Sequence, residues 1–174
     1  MQTDSYSKHF AEWFGSAELR QQINDSVKIV RHSKRIFFIG NGGSNSICSH
    51  MMEDFAKMGR YPTFCFSDPA LITCFANDYG YERAMEEWLK IHFSEGDVLV
   101  AISSSGESKN ILNAVAYANS INNNVITLSG FKTGNALSHA GRLNFHLPVS
   151  NYGMVECFHQ VILHLVLDII TDTK

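Results

Sequence analysis

The chain has 174 residues, 45% of them hydrophobic and 18% charged, with a formal net charge of −3. That is enough for one packed core, and no basic run is present to hold nucleic acid by bulk charge. No stretch reaches about 18 uninterrupted apolar residues and the polar start MQTDSYSKHF carries no signal-peptide core, so a soluble, cytoplasmic protein without a membrane partner is expected.

In chain order, residues 3 to 32 set Phe10, Trp13, Phe14, Leu19, Ile23, Val27 and Val30 near helical spacing, which predicts one or two helices broken near Gly15. From residue 35 short apolar runs alternate with helical segments. The runs are 35–39, 63–66, 98–102, 124–128 and 143–147, and the helices are expected at about 43–58, 80–93, 107–121 and 152–172. Five β-type runs alternating with helices predict an α/β fold, a five-stranded parallel sheet with helices on both faces. The cysteines Cys48, Cys65, Cys74 and Cys157 form no C-x-x-C pair and read as buried thiols.

Ligands of such a sheet gather beyond the carboxyl ends of the strands. That selects Gly40-Asn-Gly-Gly-Ser44, Ser103 to Ser108, and Ser129 to Thr133. The first is not G-x-G-x-x-G, and Asp68 is too distant and too close to a proline to serve a ribose, so a dinucleotide site is not expected. The second holds Ser103, Ser104, Ser105 and Ser108, with no cation before Lys109. It is either a helix cap or a pocket in which hydroxyls and first-turn N–H groups hold an anion. Neutral donors suit a phosphate that serves as a handle and is not cleaved. No G-x-x-x-x-G-K-[ST] loop is present.

The last helix is apolar nearly all round, which requires cover on both sides, most simply from another subunit. Set into it are Glu156, His159, Gln160 and His164. His159 reads as a packed or hydrogen-bonded core histidine. His50 and Asp54, four apart on one helix, share a face and are either a surface contact, an acid–base pair or two ligands of one metal. Glu156 and His164 lie about 12 Å apart along their helix, so for both to serve one site, one has to come from a neighbouring subunit. On that footing a His50 variant and a His164 variant are expected to complement each other in mixed oligomers.

The segments FFIGNGGSNSICSHMMED, SDPALITCFANDYGYE, GDVLVAISSSGES, NVITLSG and VECFHQVILH, in this order, resemble the sugar isomerase (SIS) domain family, and within it the phosphoheptose isomerases, over roughly residues 15–172. The resemblance implies a single SIS domain with a flavodoxin-like sheet over residues 35–174. Residues 1–34 would form an added helical segment for oligomerisation, in a homotetramer with active sites between subunits. It implies interconversion of sedoheptulose 7-phosphate and D-glycero-D-manno-heptose 7-phosphate through an enediol. The alternatives are another sugar phosphate, or a non-catalytic protein-binding role like that of replication-initiator-associating relatives.

Carried over by position, the catalytic pair is Asp54 and His164. The substrate contacts are Asn41, Gly42, Gly43, Ser44, Asp78, Ser103, Ser104, Ser105, Ser108 and Glu156. The zinc ligands of some relatives fall on His50, Asp54, Glu156 and His164. Three positions depart from the family pattern. Asp54 stands where glutamate is usual, Glu156 where glutamine is usual, and Gly153 where an aspartate is usual.

Overall fold

The computed structural model describes residues 2–122 and 124–172. Two helices, α1 (Gln2–Phe14) and α2 (Ala17–Arg31), precede the sheet. They part at Gly15, as expected, and Ser16 caps α2 by accepting a hydrogen bond from Leu19 N. Then follow β1 (Ile36–Gly40), α3 (Gly43–Lys57), β2 (Thr63–Cys65), α4 (Pro69–Tyr79), α5 (Ala84–His92) and β3 (Val98–Ser103). The chain ends with α6 (Lys109–Ile121), β4 (Val125–Gly130), a 3-10 turn at Ala136–His139, β5 (Leu143–Leu147) and α7 (Tyr152–Thr171).

All five strands pair in parallel in the order β2-β1-β3-β4-β5. This is the flavodoxin-like order, whose direction of winding reverses between β1 and β3. Alternate residues of the buried strands feed opposite layers. Phe38, Val100, Ile102 and Leu128 pack under α2, α3 and α7, while Phe37, Ile39, Leu99 and Ala101 pack under α5 and α6.

Helix α7 has the length and apolarity to cross a membrane, but nine of its residues are buried inside this fold. Much of its second cover comes from the chain itself, a correction to the expectation that a neighbouring subunit supplies it. Residues of α2 join it in one core, and Trp13 of α1 lies 4.5 Å from Phe158, ring centre to ring centre. Helix α4 was not expected. Asp68 is its cap, accepting from Leu71 N at 3.0 Å, with Pro69 in the first turn. The helix expected at 80–93 begins only at Ala84, because Gly80 turns the chain with φ of 78°.

His159 is fully buried, with Nε2 3.1 Å from the carbonyl of Ser129, as befits the core histidine expected. Burial pushes it down from 6.5 to about 4. A histidine depressed in the fold takes up its proton in the unfolded chain first, so native stability is complete above pH 6.5 and falls as pH drops towards 4. The full loss is about 3 kcal/mol. Urea unfolding of the His159→Gln variant between pH 7 and 4 should show a much flatter decline than the parent protein. Equal slopes would remove His159 from the account.

Candidate active site

The loops after β1 and β3 meet at the reversal point and enclose a cavity of about 260 Å³. Its walls bring together nearly all the predicted substrate contacts: Asn41, Gly42, Gly43 and Ser44 on one side, Ser103, Ser104, Ser105 and Ser108 on the other, and Glu156 from α7. Asp78 is the exception. It is exposed on α4, bonded to Asn77, and lines none of the described cavities of this single chain.

The serine loop has a definite internal order. Ser108 holds the cap position of α6 but makes no capping bond, because its hydroxyl turns back to Ser103 Oγ at 3.1 Å. Ser108 is therefore not a side-chain cap of α6. Ser103 Oγ also accepts from Gly106 N at 3.2 Å, and Ser105 Oγ accepts from Glu107 N at 3.3 Å. Ser104 Oγ is buried with no hydrogen-bond partner among the described residues, a costly arrangement. Glu107 accepts from Ala136 N at 3.1 Å and so ties the loop to the 3-10 turn.

Gly106 is the hinge of this loop, with φ of 69°. A methyl group added there would overlap the side-chain oxygen of Asn135, which is itself buried and accepts from Ser138 N. Gly106→Ala therefore combines left-handed strain with overpacking and should cost roughly 2–4 kcal/mol. Urea denaturation reads the loss, and inorganic phosphate binding should weaken with it. An alanine variant with parental stability would show that the loop has slack.

Asn41 is held in a network not anticipated from sequence. Its Nδ2 donates to Asn110 Oδ1 at 3.0 Å, and its Oδ1 accepts from Asn110 Nδ2 at 2.8 Å and Tyr81 Oη at 2.7 Å. Neither Asn110 nor Tyr81 belongs to a glycine or serine motif, so only the fold reveals them.

A second group lies on the outer halves of α3 and α7. His50 Nε2 is 3.4 Å and His164 Nδ1 is 3.7 Å from the same oxygen, Asp54 Oδ2. The two imidazoles stand 5.4 Å apart, centre to centre. One donor atom from each of the three residues lies within 4.8 Å of the others. Two imidazoles and a carboxylate are catalytic zinc chemistry, so the donor set fits such an ion. Glu156 is not in this group. Its carboxylate packs against Gly43 at the serine cavity, two helical turns from His164, as the rise of the helix requires. Because His50 and His164 sit together in one chain, variants of these two do not test a shared interface, contrary to the complementation expected above.

Gln160, whose role the sequence left open, lies beside the group. Its Nε2 lies 2.8 Å from His164 Nε2 and 3.0 Å from Met51 Sδ. At Gly153, where the family aspartate is missing, the hydroxyl of Tyr6 approaches closely and donates to Asn151.

The family model described as SIS domain matches residues 10–130. The phosphoheptose isomerase of Fusobacterium nucleatum is 34% identical over 149 residues, 82% of this chain and 75% of that protein. That of Hamiltonella defensa is 33% identical over 155 residues, 86% of this chain and 75% of that one. Among solved structures, a phosphoheptose isomerase from Francisella tularensis superimposes with a TM-score of 0.85 at 26% identity, covering 98% of this chain and 95% of that chain. With the fold, the serine cavity and the His–Asp group in the same chain, the protein belongs to the SIS domain family and is an isomerase of the phosphoheptose isomerase type.

Proposed function

We propose that the protein interconverts the ketose and aldose forms of a sugar phosphate through an enediol, with sedoheptulose 7-phosphate and D-glycero-D-manno-heptose 7-phosphate as the reacting pair. The observation that carries this reading is the joint presence of two unlike sites: a cavity walled mainly by hydroxyls and backbone groups, with the Glu156 carboxylate at one side, and a carboxylate facing two imidazoles. The cavity suits a phosphate that does not react. The Asp54–His164 pair suits transfer of protons between C1, C2 and their oxygens. The relatives named above support heptose as the sugar.

In this reading Ser103, Ser104, Ser105 and Ser108 hold the phosphate, with Asn41, Gly42, Gly43 and Ser44 opposite them. That grip fixes the far end of the sugar so the reacting carbons stay at the acid–base pair. Asp78 serves the site only if another copy of the chain presents it, which fits a homotetramer with sites between subunits. A zinc ion held by His50, Asp54 and His164 supplies Lewis-acid polarisation of the substrate carbonyl when bound. The carboxylate of Asp54, flanked by both imidazoles, favours catalysis over a purely protein-binding role.

The test is incubation of the purified protein with sedoheptulose 7-phosphate, with and without zinc, and detection of the aldose product. Formation of the heptose phosphate supports the assignment. Turnover of a different sugar phosphate, with none of sedoheptulose 7-phosphate, overturns the choice of sugar. No turnover of any sugar phosphate overturns the enzymatic reading. Mixed oligomers of a Ser104→Ala variant and a His164→Asn variant test the shared interface: regained activity supports it, and none in verified mixtures removes it.

A further inference from the structure

The two ring nitrogens of His164 face different partners. Nδ1 is turned to Asp54 Oδ2 at 3.7 Å, and Nε2 to the side-chain nitrogen of Gln160 at 2.8 Å. An amide nitrogen carries two hydrogens and offers no lone pair. The contact is therefore a hydrogen bond only where His164 Nε2 is the bare, accepting nitrogen, which leaves the ring proton on Nδ1. The same amide nitrogen lies 3.0 Å from Met51 Sδ, a thioether that can only accept. Its two hydrogens thus have two acceptors. Reversing the amide would let its oxygen accept from a proton on His164 Nε2, but it would turn that oxygen onto the lone pairs of the Met51 sulfur and forfeit the second bond, so the sulfur decides the orientation. Met51 is fully buried on α3 and cannot swing away to relieve the clash.

We propose that Gln160, braced by Met51, is a positioning residue that holds His164 as its Nδ1-protonated tautomer, with that proton aimed at Asp54. This rests on the reading of Asp54 and His164 as the acid–base pair, and it fixes which ring nitrogen of His164 carries a proton towards Asp54. The same bond opposes a metal at that nitrogen. Ligation there needs a bare Nδ1, so the ring proton must move to Nε2, where the hydrogens of Gln160 already point. Amide orientation at residue 160 thereby weighs acid–base work against metal capture. Nothing in the local sequence announces this, because Met51 reaches Gln160 from another helix.

The test uses full-length, metal-free protein labelled with ¹⁵N-histidine at about pH 8, where the tautomers of a neutral imidazole give different long-range ¹H–¹⁵N patterns; His164→Asn identifies the signals. The parent protein should show His164 protonated at Nδ1. Gln160→Glu offers a carboxylate acceptor to the ring and should place a proton on Nε2. Cobalt(II), titrated by its visible absorption, should then bind about tenfold tighter, the scale of outer-sphere effects on metal sites. Gln160→Met, which offers no donor, should abolish the Nδ1 preference while thermal unfolding stays cooperative. An Nε2-protonated ring in the parent protein overturns the proposal, as does an unchanged tautomer and cobalt affinity in Gln160→Glu. These readings need no substrate, so they stand or fall separately from turnover of sedoheptulose 7-phosphate.

Discussion

Asp54→Asn and His164→Asn should each lower kcat for the isomerisation by about 10²–10⁴-fold, the usual contribution of a positioned general acid or base. Asparagine at 54 keeps the shape of the side chain but removes the charge that faces both imidazoles. At 164 it keeps a polar group of modest size on a helix whose neighbouring residues are packed. The serine cavity is remote from both changes, so inhibition by inorganic phosphate should persist within a few-fold. In the proposed reaction the two residues act as a unit, so the double variant should be scarcely worse than either single one. Steady-state kinetics with product detection decides the matter. Undiminished turnover in either variant removes that residue from the mechanism.

Arg35→Ala should be strongly destabilising although it lies away from the site. Asp97 is fully buried at the start of β3, and Arg35, just ahead of β1, donates to it twice, Nε to Oδ1 at 3.0 Å and Nη2 to Oδ2 at 2.6 Å. The hydrogen bond to Asp97 also raises the Arg35 guanidinium above its ordinary value. Removing the arginine leaves the carboxylate, among the described residues, with the Ser94 backbone N–H and hydroxyl. Losing one partner of a buried pair costs about 3–5 kcal/mol. Urea unfolding should show a loss of that size, with the two central strands affected first because the pair joins the residues just ahead of them. A loss below about 1 kcal/mol would mean that water reaches Asp97.

The strands were legible in sequence because a parallel sheet covered on both faces consists of short, nearly unbroken apolar runs. Residues 98–102 lie wholly within β3 (Val98–Ser103), and 35–39 is displaced by one residue from β1 (Ile36–Gly40). Helix α4 was harder to read, since none of its residues is fully buried in this chain and its short apolar stripe of Leu71, Ile72 and Phe75 packs only partly on the core. The pairing of Asp68 with Pro69 marked its start. The serine loop was readable because its chemistry lies in contiguous residues. The separation of Glu156 from His164 was readable too, because helical rise is fixed. What Gln160 and Asn110 do was not, since each depends on a partner from a distant part of the chain, Met51 and Asn41.

The tie from Glu107 to Ala136, with Asn135 wedged against Gly106, has an entropic consequence. A loop already frozen by the fold loses little freedom when a ligand arrives, so less of the interaction with the phosphate is consumed in ordering the protein. The remainder is available to restrain a flexible open-chain sugar, whose own disorder is the larger obstacle to reaction. Separating the phosphate from the sugar should therefore reduce kcat as well as affinity, although no atom of the phosphate takes part in the proton transfers.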